Sequence, residues 1–242
     1  MAQQKFVVTE NTVCVQHCRR LRLQGDTGAM TNPGQYGLIR QPVQGVVFIA
    51  DWDDEQLTVY YDDRLSLGLA FAQIEPGQEV ELTLGLGNGF AWEKSSVLPV
   101  LVGSGIEAAP LLALGRVLAQ NGRMVTAVLE FANKEQVFLA EELRSFGVEV
   151  FLATADGSVG MTGSAKDVLE AIGVGSGVYV SGPEDFLLQI HTAAGCSGEY
   201  LLSSRLHCGE GKCGGCDYQT PFRVKKLCQD GPVLTGGELM PQ

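Results

Sequence analysis

With 242 residues, 45% of them hydrophobic and 19% charged, the chain is long enough for two domains and a small appendage, and apolar enough for a sizeable core. Its 28 acidic against 17 basic side chains give a formal charge of -11, which argues against nucleic acid as a partner because phosphate binding needs a basic face. No apolar run is long enough to span a bilayer and no charged-then-apolar leader opens the sequence, so a cytoplasmic protein without membrane contact is expected.

Residues 1–95 read as β structure. Phe6-Val-Val, Val46-Val-Phe-Ile and Leu57-Thr-Val-Tyr-Tyr are short β-branched and aromatic runs. Turn signals bound them at Asn32-Pro-Gly, Asp51-Trp-Asp-Asp, Glu75-Pro-Gly and Gly85-Leu-Gly-Asn-Gly. Strands at this spacing predict a small antiparallel β barrel. From Val97 the pattern changes to strands alternating with helices. Val97-Leu-Pro-Val-Leu-Val is a buried-strand run, and residues 110–120 carry helical apolar spacing. Strands follow at 125–131, 148–152 and 178–180, with helices over 134–146 and 165–172. This order predicts an α/β domain with a parallel sheet over residues 96–195, and a small cysteine unit over 196–242.

That unit holds Cys208, Cys213, Cys216 and Cys228, in the spacing C-x4-C-x2-C-x11-C. The x4-then-x2 order is the one plant-type [2Fe-2S] ferredoxins use for their first three ligands. Gly209, Gly211, Gly214 and Gly215 lie between the cysteines, and glycine permits the positive φ values and the amide-to-sulfur approaches that wrapping a cluster needs. Four thiolates could also hold a structural zinc, although zinc sites usually come as two x2 knuckles and only Cys213 and Cys216 make one here. Residues 205–228 carry Arg205, Lys212, Arg223, Lys225 and Lys226 against Glu210 and Asp217, so five minus two leaves a local excess of +3. This excess suits an anionic cluster, or simply a solvated face. Of the remaining cysteines, Cys14 and Cys18 read as small side chains on a strand-turn segment and Cys196 as a free thiol. His17, His191 and His207 have no evident partners, and no catalytic acid-base or nucleophilic set is expected.

Three glycine-rich segments sit at strand ends. Gly103-Ser-Gly105-Ile-Glu107-Ala108-Ala-Pro110 follows a strand and opens a helix, the setting of a dinucleotide turn or of a plain tight turn. Glu107 argues against a bound pyrophosphate there, because its carboxylate would compete with the anion. Asp156-Gly-Ser-Val-Gly and Gly182-Pro183 are the other two, either crevice edges or turns.

The order of these pieces is more specific than any one of them. A β barrel, a G-x-G-x-x-A-x-P turn, a D-G-S-x-G loop, a G-P strand end and C-x4-C-x2-C-x11-C together resemble, over nearly the whole chain, the electron-transfer subunits of type B dihydroorotate dehydrogenase. That family lies within the ferredoxin-reductase-like superfamily. Pro33-Gly-Gln35-Tyr36, Glu75-Pro-Gly77, Leu86-Gly-Asn-Gly-Phe90 and Asp230-Gly-Pro-Val233 add to the resemblance. It implies FAD in the barrel, around Gly45, Phe48, Gly68, Gly89 and Phe90. It implies an NAD-like crevice around Gly103, Gly105, Pro110, Asp156, Gly182 and Pro183. It also implies a cluster facing an FMN-containing (β/α)8 dehydrogenase subunit in a heterotetramer, with electrons running FMN to [2Fe-2S] to FAD to NAD+. Relatives of this kind also serve sulfide dehydrogenases and hydrogenases, and a zinc-holding interaction module is the non-redox alternative.

The chain departs from that pattern at its anion sites. Gly45-Val46-Val47-Phe48 stands where the family has Arg-Pro-x-Ser, with Arg40-Gln-Pro42 an alternative placement. Leu65-Ser-Leu-Gly68 replaces the Gly-Thr turn that holds flavin phosphates, Glu107 replaces a glycine, and Ser181 stands where Cys often precedes Gly-Pro. A charged hydrogen bond to phosphate contributes roughly 1.5–3 kcal/mol, so two losses cost about two to four decades of affinity.

Overall fold

The computed structural model describes residues 3–173, 177–195 and 197–239, so Cys196 lies outside the described residues. Seven strands come first: β1 (Gln4–Val15), β2 (Cys18–Gln24), β3 (Tyr36–Gln41), β4 (Gly45–Phe48), β5 (Asp51–Trp52), β6 (Gln56–Asp62) and β7 (Glu79–Leu86). They form one antiparallel sheet in the order β4-β3-β7-β1-β2-β6-β5. The two edge strands are consecutive in the chain, with Ile49 and Ala50 between them, so the sheet must curl until its edges meet. This is the expected barrel. Its core follows the period-2 alternation of the strands, with Phe6, Val8, Leu21, Leu23, Leu57, Val59, Val80 and Leu82 all buried. Asp51-Trp52, expected as a turn, pairs instead with Leu57 and Thr58 and closes the edge. Cys14 and Cys18 flank the two-residue β1–β2 turn, as their segment suggested, with both thiols free. A short helix, α1 (Ser66–Phe71), links β6 to β7.

The second half alternates strand and helix: β8 (Val100–Ser104), α2 (Leu111–Gln120), β9 (Thr126–Phe131), α3 (Ala140–Ser145), β10 (Glu149–Thr154), β11 (Met161–Thr162), α4 (Ala165–Ile172), β12 (Val178–Ser181), α5 (Glu184–Ala193) and β13 (Glu199–Leu201). Strands β11-β10-β9-β8-β12-β13 run parallel in that spatial order. Val102, Val128 and Val180 in the central strands are fully buried, as a sheet covered on both faces requires. Helix α4 begins at a capping box in which Ser164 and Asp167 satisfy each other's backbone N–H groups.

The helix expected over 134–146 is shorter. A 3-10 turn at Lys134–Gln136 is followed by extended chain, Leu139 takes φ 66°, and α3 starts at Ala140. Packing overrides the helical spacing here. Phe138 is drawn out to meet Tyr60 of the barrel at 5.1 Å and Phe131 at 5.7 Å, and Leu139 is fully buried.

The tail forms β14 (Asp217–Gln219), β15 (Val224–Lys226), α6 (Leu227–Asp230) and β16 (Val233–Thr235). Strand β16 returns to pair antiparallel with β13, so the end of the tail belongs to the parallel sheet as its last strand. Asn88, just past β7, fixes that return. Its N–H donates to the Gly231 carbonyl at 2.8 Å, its Nδ2 donates to the Val233 carbonyl at 2.9 Å, and its Oδ1 accepts from the Val233 N–H at 3.1 Å. Barrel, parallel sheet and tail thus share one joint. Among the described residues no helix is long and apolar enough to cross a membrane.

Asn88→Ala removes both side-chain bonds and strands a partly buried N–H and carbonyl. A loss of about 1–3 kcal/mol is expected, read as a lower denaturation midpoint of the intact chain; an unchanged midpoint would show that the joint carries no stability.

Candidate functional site

The cysteine loop runs from Cys208 to Cys216 and is completed by Cys228 on α6. Gly209, Gly211 and Gly214 have φ of 67°, 77° and 70°, the left-handed region that their places in the loop were expected to need. Two sulfurs receive amides of the loop: the Glu210 N–H reaches Cys208 Sγ at 3.4 Å and the Gly215 N–H reaches Cys213 Sγ at 3.4 Å. The Glu210 amide first, then the Cys213 and Lys212 amides and the Cys213 thiol, draw the Cys208 thiol down to about 6 against the raising effect of burial. Cys216 and Cys228 lie 3.2 Å apart, sulfur to sulfur, and both are buried. Burial, and then the neighbouring Cys216, pushes the Cys228 thiol up. The thiols thus meet as an outer pair, Cys208 with exposed Cys213, and an inner pair, Cys216 with Cys228. Among the described residues no three His, Cys, Asp or Glu side chains gather as they would on one metal ion. Two pairs of thiolates, with amides aimed at sulfur, fit a diiron cluster. The His207 ring packs over Gly215, where an added Cβ would come within 2.6 Å of it.

The barrel grips this loop. The hydroxyl of fully buried Tyr36 on β3 lies 3.0 Å from the Gly209 carbonyl and 3.0 Å from the Cys228 carbonyl. Arg40, on the same strand, forms a 2.5 Å ion pair with Glu210. Its motif was considered for flavin binding, but the guanidinium is committed to the cysteine loop. The local charge excess is also corrected. All five cations are paired: Arg205 with Glu184, Lys212 with Glu210, Arg223 with Asp230, Lys225 with Glu238 and Lys226 with Asp217. Three of those carboxylates fall outside the 205–228 window, so the surround is close to neutral.

Beside the loop, between β4, β6, the 3-10 turn Gly105–Ala108 and residues 203–206, lies a cleft of about 220 Å³. Val46, Phe48, Tyr60, Leu65, Ile106 and Leu206 give it apolar walls, and Asp62, Glu107, Ser203 and Ser204 are its polar lining. Phe48 stacks obliquely on Tyr36 with ring centroids 5.8 Å apart, so cleft and loop are joined through two aromatic rings. Of the residues expected around FAD, Phe48 and Gly68 line the cleft. Gly45 lies beneath Leu67, whose methyls an added Cβ would meet at 2.6 Å. Gly68 is pressed on the end of β6, where a Cβ would stand 1.8 Å from the Asp62 carbonyl. Gly89 and Phe90 lie elsewhere: Gly89 turns against Asn32 and Pro33, and Phe90 is core, edge-on to Tyr179 at 5.7 Å. Among the described residues no Lys or Arg lines the cleft. The nearby Arg64 is held by Asp62 through two hydrogen bonds, at 3.0 and 2.6 Å. The walls fit a flavin ring; the donor set does not fit a diphosphate.

The expected NAD crevice is reached in part. Gly105 and Pro183 edge a second recess, Pro110 lines the first cleft, and Gly103 allows β8 to pack on Ala108. Gly182 sits under Phe186. Asp156 lies outside both recesses, its carboxylate accepting from the Ser158 N–H at 2.9 Å and Oγ at 2.6 Å. Glu107 reaches both recesses; its carboxylate accepts from Ser203 Oγ at 2.7 Å, and its carbonyl from Ser181 Oγ at 2.5 Å. Tyr60, Leu206 and Ser203 had no signal as site residues, because nothing local in sequence marks the contacts that bring them together.

Residues 203–240 match the family model for the iron-sulfur cluster binding domain of dihydroorotate dehydrogenase B. Over its whole length the chain is similar to dihydroorotate dehydrogenase B (NAD(+)) electron transfer subunits. It is 32% identical to that of Geobacillus thermodenitrificans, covering 99% of each chain, and 31% identical to that of Shouchella clausii, covering 98% of each. Among solved structures, a chain of the NADH-dependent reduced ferredoxin-NADP oxidoreductase superposes with a TM-score of 0.85 at 19% identity, over 97% of this chain and 89% of that one. The ferredoxin reductase of carbazole 1,9a-dioxygenase does so with a TM-score of 0.67 at 16% identity, over 80% and 65%. These likenesses establish a ferredoxin-reductase-like fold, and the resemblance read from the sequence is borne out.

Burial raises Glu107 above its ordinary value of 4.5, against the lowering effect of the Ser203 hydrogen bond, and Asp185 adds to the rise. The folded chain therefore binds this proton more readily than the unfolded chain. The group's contribution to stability is full below its unfolded pKa and is lost as pH rises through the folded value. Glu107→Gln, which keeps an acceptor for Ser203, is expected to melt above the parent near pH 8, with the gap closing near pH 4. Equal melting curves at both would refute the burial penalty.

Proposed function

Because the chain belongs to the family of dihydroorotate dehydrogenase B electron transfer subunits, we propose that it relays single electrons from a flavoprotein partner, with Cys208, Cys213, Cys216 and Cys228 holding a [2Fe-2S] cluster. The observation that carries this reading is the arrangement of the four thiols as a buried pair and an outer pair, Cys208 half-buried and Cys213 exposed, around a loop with positive-φ glycines. When bound, such a cluster supplies a one-electron carrier with no proton to move. The protein's own residues do the rest. The loop amides stabilise negative sulfur, Tyr36 and Arg40 fix the loop on the barrel, and Phe48 and Tyr36 fill the space between loop and cleft.

The exposed Cys213 end faces the surface, which suits it to a partner, while the buried Cys216–Cys228 end faces the barrel. The partner in this reading is an FMN-containing (β/α)8 subunit that oxidises dihydroorotate, joined with this chain in a cytoplasmic heterotetramer. The relatives' names carry NAD(+), and electrons leaving through the barrel cleft toward flavin and NAD+ agree with them.

Anaerobic purification should yield a coloured protein with about two irons and about two acid-labile sulfides per chain, and an EPR signal on one-electron reduction. Cys216→Ser is expected to bleach or shift the visible absorbance. A colourless chain with one zinc and no labile sulfide would overturn the assignment.

A further inference from the structure

The proposed electron path makes the barrel cleft a flavin-class site, and on that reading the cleft's charge and shape say more. We propose that it takes a flavin by its uncharged ring alone and discriminates against the phosphates of FAD and FMN. At about 220 Å³ the cleft is smaller than the roughly 300–1,000 Å³ usual for drug-sized ligands, which is the scale of a ring rather than a dinucleotide. Phe48 and Tyr60 offer aromatic surface, and Val46, Ile106 and Leu206 complete an apolar slot.

The surroundings are hostile to an anion. Among the described residues the only ionisable carboxyl groups in the lining are Asp62 and Glu107, and no Lys or Arg stands among the lining residues to offset them. Each nearby guanidinium is already spent on a carboxylate, Arg64 on Asp62 and Arg40 on Glu210. The two segments that depart from the family pattern at the flavin phosphates turn out to be neighbours. Leu67, from the second, lies over Gly45, from the first, so an aliphatic side chain fills the place a phosphate grip would need. The turn at Gly68 is closed against the Asp62 carbonyl, which leaves no room for a Gly-Thr cradle. Helix α1 is preceded by Leu65, which supplies no side-chain cap, and its six residues make too short a dipole to replace a cation. A diphosphate would therefore meet the Glu107 carboxylate and an Asp62 whose partner Arg64 is already engaged, with no Lys or Arg among the described residues of the cleft lining to receive it. Each extra phosphate should weaken binding rather than strengthen it.

The test is equilibrium dialysis of the anaerobically purified full chain against riboflavin, FMN and FAD, with iron and labile sulfide measured on the same sample. Riboflavin is expected to bind saturably, and FAD at least about tenfold more weakly, one charged contact being worth about a decade or more. Glu107→Gln, and separately Asp62→Asn, should narrow that gap. FAD binding as tightly as riboflavin or tighter, or no binding of any of the three, would overturn the proposal. The iron and sulfide values report on the cluster independently, so loss of the flavin order with two irons present defeats this inference and leaves the electron-relay reading standing.

Discussion

One phenol proton serves two carbonyls at the centre of this molecule. The Tyr36 hydroxyl sits 3.0 Å from the backbone oxygens of Gly209 and Cys228, one beside the first loop cysteine and the other on the last. It closes the cysteine loop from the barrel side, at a point where water cannot substitute because Tyr36 is fully buried. A hydrogen bond of this kind adds about 0.5–1.5 kcal/mol net, but a buried carbonyl left without a donor costs about 1–3 kcal/mol. The same ring rests on Phe48, which walls the cleft. Loop geometry and cleft shape are consequently set by one side chain, and the Arg40–Glu210 pair and the Asn88 joint hold the rest of the tail in register with it.

The electrostatics are built from local pairs rather than from a field. Five cations around the cysteine unit each have a carboxylate; the more exposed of these pairs contribute little stability individually, while Lys225–Glu238 is mostly buried. Their effect is to keep the neighbourhood of the sulfurs close to neutral within an acidic protein. The specific stabilisation of sulfur then falls to the loop amides, which are fixed by glycine backbone conformations and do not depend on salt.

The cysteine spacing was legible because its chemistry is local: three of four ligands and every glycine between them lie within nine consecutive residues. Helix α4 forms over the 165–172 stretch expected for it, and the folded chain adds a cap the spacing alone did not supply, Ser164 with Asp167 three residues on. Strands β2, β3 and β7 and the return of β16 were not read from local runs, since pairing with distant partners selects them. The broken helix before Ala140 shows long-range packing defeating a local pattern, through Phe138. The cleft is the clearest case. The changes at Gly45 and at Leu65-Ser-Leu-Gly68 could be read one by one, but their contact through Leu67, and the gathering of Asp62, Glu107 and Ser203, exist only in the folded chain.

The sheets also have consequences for how this subunit meets others. The barrel's edge strands hold four and two residues, and the parallel sheet ends in strands of two and three. Edges so short offer almost no backbone ladder for another chain to extend. At these outermost strands assembly by strand addition is thereby disfavoured, as is the runaway stacking that long open ladders invite. Recognition of neighbours is left to side-chain surfaces, whose fit a sequence can tune without disturbing the fold beneath.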